Sequence, residues 1–117
     1  MLIAKIVSGG QTGVDRGALE AAFDLGFPYG GLIPKGRLAE DGIVPLKFDQ
    51  MEEAPNKNYI FRTEWNVVHS DATLIISPYV AGPRESKRRG VQAITYRFVS
   101  DLIQAANSMD EEKRDWR

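Results

Sequence analysis

The chain contains no cysteine. Disulfides, thiolate catalysis and cysteine-ligated metals are therefore excluded. There is a single histidine, His69, at the end of an expected helix, where the partial negative charge of the terminus suits it structurally. Nothing here suggests a Ser-His-Asp arrangement, and His69 is not read as a catalytic base. No apolar stretch approaches the roughly 20 residues that a membrane span needs. Met1–Val7 is too short for a secretory h-region and runs straight into glycines, so no signal peptide is expected. A large excess of either charge is also missing: the formal net charge is −1. A general nucleic-acid-binding surface is not expected on that balance. Together these absences lead to the expectation of a cytoplasmic protein with neither a membrane nor a nucleic-acid partner.

What is present is an ordinary globular composition. The 117 residues are 43% hydrophobic and 26% charged, enough for one domain over residues 1–117 but not comfortably two. Leu2–Val7 reads as a buried strand ended by Ser8-Gly9-Gly10. Thr12 is the expected N-cap of a helix whose small and apolar positions are Val14, Ala18, Ala21, Ala22 and Leu25, with Gly26 as its stop. Phe27–Ile33 is a second extended segment, broken by Pro34-Lys35-Gly36-Arg37, and residues 38–57 read as irregular surface chain with a few extended pieces. Tyr59–Ser70 reads as a helix with the stripe Ile60, Phe61, Trp65 and Val68. Thr73–Ile76 is a short apolar strand, and residues 81–90 form a basic loop. Val91–Asn107 carries Ile94, Phe98, Leu102 and Ala105 and is expected to be a helix, followed by a frayed charged tail. Strands alternating with helices imply an α/β sandwich around a parallel sheet, which binds ligands at the carboxyl ends of its strands.

The turn Ser8, Gly9, Gly10, Gln11, Thr12, Gly13 lies at such an end. Its glycines let the backbone approach a ligand, and the following helix N-terminus suits an anion. The spacing is neither a Walker A loop nor a full dinucleotide fingerprint. The turn could hold a nucleotide phosphate, another anion, or nothing. Asp15 and Arg16 follow in the first helical turn. Asp15 would sooner meet a sugar hydroxyl, a heterocycle N–H or a cation than a phosphate, which it would repel. Lys35, Gly36 and Arg37 could clamp a phosphate, or form a charged turn. Glu40 and Asp41 with a distant His69 make a poor metal set, so no protein–metal site is expected. Arg62, Thr63, Glu64 and Asn66 share the next helix. Glu64 lies four residues from both Ile60 and Val68, so it should find a partner or line a pocket. Arg84, Ser86 and Lys87 precede a helix start and could make a second anion-binding turn.

Four blocks, "SGGQTGVDRGALEAA", "PKGRLAEDG", "RTEWNVVHSDATLII" and "VAGPRESKRRG", closely resemble the molybdenum carrier (molybdenum-cofactor carrier-like) family, a branch of the Rossmann-like SLOG superfamily. The match runs in order over most of residues 3–100. The resemblance implies a Rossmann-like three-layer sandwich with a mostly parallel sheet and a homo-oligomer. It implies a phosphorylated heterocyclic ligand, either a nucleotide or the molybdenum cofactor carried as cargo toward a recipient molybdoenzyme. It places Ser8–Gly13, Asp15, Arg16, Lys35–Arg37, Glu40, Asp41, Arg62–Asn66 and Arg84–Lys87 at or near the site. Members of the family usually carry a further segment, with a Gly-Gly-Thr loop, a helix, a strand and another helix, after the strand matching "DATLIIS". Here Ser77-Pro78-Tyr79 joins the flanking blocks directly. Either the protein lacks that segment or residues are missing from the sequence between about Ser77 and Tyr79; the second is the expectation. Two other functions stay open. One is a nucleotide-processing enzyme of the phosphoribohydrolase type, with Glu64 or Asp15 as its working carboxylate, although the Pro-Gly-Gly-x-Gly-Thr-x-x-Glu pattern is absent. The other is a nucleotide-sensing module without turnover.

Overall fold

The computed structural model of the chain describes residues 3–56, 59–74 and 90–115, without the side chains of 59, 60 and 109–115. Strand β1 (Ile6–Val7) leads through the glycine turn into helix α1 (Val14–Asp24) and on to strand β2 (Tyr29–Ile33). A short 3-10 turn, Lys35–Arg37, is followed by the hairpin of β3 (Leu38–Ala39) and β4 (Gly42–Ile43), and then by strand β5 (Met51–Glu53). Helices α2 (Tyr59–Val68) and α3 (Val91–Asp115) complete the described elements.

The sheet has the order β1-β2-β5 and is parallel throughout. Ile6 lies opposite Tyr29, and Gly31 opposite Met51. The expected α/β class with a parallel sheet is what forms. The expected irregular stretch after residue 37 hides two pairings: the antiparallel β3–β4 hairpin and β5, the third strand of the sheet. β5 reads Met-Glu-Glu, and only Met51 is buried, so no alternating apolar pattern marks it.

Helix α1 ends as its sequence suggests. Gly26 adopts a left-handed φ of 62°, its N–H reaches the Phe23 carbonyl, and the Phe27 N–H reaches the Ala22 carbonyl. That double closure satisfies the last carbonyls of the helix. The start differs from expectation: Gly13 caps the helix with no side-chain cap bond, and the Thr12 hydroxyl points instead to Glu40.

Two apolar cores flank α1. Leu19 packs with Ile33, Val44, Phe48 and Met51. Ala21 and Ala22 pack with Val99 and Ile103 of α3. Among the described side chains, neither core contains a residue of α2. The inward face of α3 is Val91, Thr95, Val99 and Ile103; of the apolar positions Ile94, Phe98, Leu102 and Ala105 that marked the helix, Ile94 and Phe98 are 64% and 49% exposed. The reason lies in α1. A Cβ on Gly17 would collide with the backbone carbonyl of Gln92 and press on Thr95, so the helices cross with their backbones almost touching. Only the narrower side chains of α3 fit that crossing. Helix α2 departs in the same way: Phe61 and Val68 of its expected stripe are exposed, and Arg62 is buried. The strand expected at Thr73–Ile76 does not form at Thr73 or Leu74, and its remainder lies outside the described residues.

Candidate functional site

The glycine turn leaves β1 at its carboxyl end. There the two neighbouring strands diverge after Ser8, whose N–H still bonds to the Gly30 carbonyl at 2.9 Å. Two residues on, the N–H and carbonyl of Leu32 face the same way with β1 gone. The side chain of Asn66 takes β1's place: its oxygen accepts the Leu32 N–H at 2.7 Å and its nitrogen donates to the Leu32 carbonyl at 3.1 Å. Asn66 thereby fixes α2 at the mouth of the site.

Around Gly9 three side chains converge. A Cβ there would lie 2.9 Å from Asp15 Oδ2, 3.0 Å from Arg62 Nη1 and 3.8 Å from Asn66 Nδ2, so any side chain at this position would have to displace the ends of Asp15 and Arg62. Arg62, 6% exposed, also reaches the Gly9 carbonyl at 3.4 Å. Burial pushes the Asp15 carboxyl above its ordinary value, against the lowering effect of the Gln11 N–H and of Arg62 and Arg16.

The turn is braced from within. The Ser8 hydroxyl donates to the Asp15 carbonyl at 2.9 Å and accepts the Gly10 N–H at 3.2 Å. The Gly13 N–H donates to Gln92 Oε1 at 3.2 Å. Arg16, only 4% exposed, donates from Nε to the Gly10 carbonyl at 3.1 Å and forks onto Asp41 at 2.9 and 3.2 Å. That hydrogen-bonded guanidinium holds the Asp41 carboxyl below its usual value. Thr12 donates to Glu40 at 2.5 Å, and the Gln11 amide donates to the Leu38 carbonyl at 3.1 Å.

Residues 6–79 match the model of the circularly permutated YpsA SLOG family. The chain belongs to this SLOG family. It is also similar to a crystal structure described as a "Putative molybdenum carrier protein" from Syntrophus aciditrophicus SB, with 47% sequence identity and a TM-score of 0.65. That similarity covers 88% of this chain and 60% of the other, so the chain spans less than two thirds of that protein's length. No curated protein matches the chain.

In this SLOG chain the structure brings together Ser8–Gly13, Asp15, Arg16, Glu40, Asp41, Arg62 and Asn66 of the expected site residues. It holds others elsewhere. The Arg37 guanidinium donates to the carbonyls of Val44, Pro45 and Phe48 at 3.1, 2.8 and 3.1 Å, which binds the turn to the following loop. Gly36 donates its N–H to Glu53 at 2.7 Å, and Lys35 is exposed. Thr63 and Glu64 are exposed on α2, as are Phe61 and Val68 of the expected stripe, so Glu64 is not the buried carboxylate that would demand a partner or a pocket. Arg84, Ser86 and Lys87 lie outside the described residues. Gln92 was not foreseen, and no local signal marks it, since it acts 79 positions away. Among the described residues no group of three or more His, Asp or Glu side chains could hold a metal ion. No helix among them is long and apolar enough to cross a membrane.

Proposed function

We propose that this chain binds a phosphorylated heterocyclic ligand without turning it over, as a carrier whose cargo is a molybdenum cofactor. The observation that carries the reading is the pairing of two buried arginines, Arg16 and Arg62, with a glycine turn at a strand's carboxyl end. The first N–H groups of α1 have no helix carbonyl to meet and follow directly on the same turn. In this reading they, with Thr12 and Arg16, hold the phosphate. Asp15, whose raised pKa eases its neutral form, meets a ring N–H or hydroxyl. Membership of a SLOG family and similarity to a protein named as a molybdenum carrier support the cargo. A carrier requires enclosure and hydrogen bonds rather than a nucleophile, and a cysteine-free chain fits that requirement. We further propose that the carrier is a cytoplasmic homo-oligomer that delivers to a molybdoenzyme.

Native mass spectrometry on protein purified without oxygen, with elemental analysis for molybdenum, tests the proposal. The expected result is an oligomer that retains a phosphorylated ligand and molybdenum. A ligand-free monomer without molybdenum overturns it. Release of free base from nucleoside monophosphates, abolished in Glu64→Gln, would replace the carrier with a hydrolase. Reversible binding of ordinary nucleotides, with no molybdenum retained, would make it a sensor.

A further inference from the structure

Asp15 is the second residue of α1, so its carboxyl belongs to the same helical turn whose N–H groups would receive an anion. It reaches back over Gly9, where a Cβ would lie 2.9 Å from its Oδ2, and the Gln11 N–H stabilises its charge. The residue is half-buried rather than sealed off, so a molecule entering the turn meets it. An acid in this position conflicts with an anion. An ionised Asp15 and a fully ionised ligand repel each other at contact distance. Arg16, the next residue, is already forked onto Asp41 at 2.9 and 3.2 Å.

One proton removes the conflict. Placed between the carboxyl and a phosphate oxygen, it turns two like charges into a short, charge-assisted hydrogen bond. A phosphate monoester can share that proton, because its second ionisation falls at about pH 6. A sulfate or a phosphodiester has no proton that ionises near neutrality, so against Asp15 it keeps the repulsion. The surroundings favour the shared proton. Burial opposes charge on Asp15, and it outweighs the Gln11 N–H, Arg62 from α2 and Arg16 from α1. From the β3–β4 hairpin, Glu40 accepts from Thr12 and Asp41 from Arg16. The bond to Arg16 holds Asp41 in its charged form, so Asp41 does not compete for the proton.

We propose that Asp15 makes the glycine turn selective for phosphate monoesters, its carboxyl and the terminal phosphate of the ligand sharing one proton in the complex. The proposal rests on the reading that a phosphorylated ligand binds at the turn, and the hydroxyl that Asp15 meets is then the P–OH of that ligand. Binding of AMP, of its diester cyclic AMP and of sulfate is measured by titration calorimetry between about pH 7 and pH 9, above the second phosphate ionisation at roughly 6. Uptake of one proton weakens AMP binding about tenfold per pH unit. Cyclic AMP and sulfate should bind at least about tenfold more weakly than AMP at the lower end of that range. Asp15→Asn should flatten the pH dependence and bring the diester and sulfate closer to AMP. Glu52→Gln, a charge change on β5 away from the turn, should keep the slope of the parent. Should Asp15→Asn fail to fold, the protein with Asp15 in place decides. Calorimetry in two buffers of different ionisation enthalpy counts the protons: about one taken up per AMP bound supports the proposal, and none overturns it. AMP binding without pH dependence, a slope that survives in Asp15→Asn, or a diester bound as tightly as AMP overturns the role of Asp15 and leaves the binding reading standing. No binding of any of the three anions, in the parent or in Asp15→Asn, overturns both.

Discussion

The side chain of Asn66 pairs with both backbone groups of Leu32, at 2.7 Å for the bond it accepts and 3.1 Å for the bond it donates. A side-chain amide here extends a β-ladder past the end of β1 and fastens α2 to the sheet. Asn66→Asp keeps the acceptor but turns the donor into a second oxygen facing the Leu32 carbonyl. The variant should lose about 1–3 kcal/mol at neutral pH. It should recover part of that loss in acid, where the protonated carboxyl again offers one donor and one acceptor. Urea unfolding of the parent and variant at two pH values is the measurement; a loss that does not depend on pH would contradict the pairing.

Gly17 sits where α1 and α3 cross. In an exposed helix interior, Gly→Ala gains about 1 kcal/mol from propensity. Here the added methyl meets the Gln92 carbonyl and Thr95, so Gly17→Ala should instead lose about 1–3 kcal/mol through overpacking. A urea midpoint equal to or above the parent's would show that the helices can separate freely.

Asp15 and Asp41 should titrate in opposite senses. The folded pKa of Asp15 is raised above 3.8, mainly by burial. Its charged form therefore disfavours folding, and the penalty grows as pH rises from 3.8 through the raised folded value. Stability of Asp15→Asn, relative to the parent, should climb over that window. The folded pKa of Asp41 is lowered by its bond to Arg16, so its contribution is present above 3.8 and fades as pH falls through the lower folded value. The deficit of Asp41→Asn should accordingly vanish in acid. Thermal unfolding of the three proteins across pH 2–7, an interval chosen to bracket ordinary carboxylate titration at roughly 3.9, distinguishes the two slopes.

Arg37 acts through three backbone carbonyls of the 44–48 loop. Lysine keeps the charge but lacks the planar fork, so Arg37→Lys should lose about 1–3 kcal/mol, as would be expected for broken bonds to a charged donor. Its phenotype should be a lower melting temperature. Unchanged stability would return Arg37 to the role of a free cation.

Much of the first half of the fold was legible locally. Glycine at positions 9, 10 and 13, an alanine-rich helix and a glycine stop are short-range signals, and the structure realises them as turn, α1 and a closed C-terminus. The orientation of α2 and α3 was not legible. Each helix offers more than one apolar face, and the sequence alone does not say which face has a partner. Thr95 is fully buried while Ile94 beside it is largely exposed, because α1 presents Gly17 and alanines at the crossing. The same is true of the site. Arg16, Arg37 and Arg62 look alike in the sequence. The sequence by itself determined a parallel α/β unit with a glycine turn at a strand end, because turns, caps and periodicity are set by neighbours within a few positions. Only the tertiary structure decided that Arg16 is forked onto Asp41, that Arg37 serves a loop and that Arg62 backs the turn, because each bond joins groups whose approach depends on how the whole chain packs.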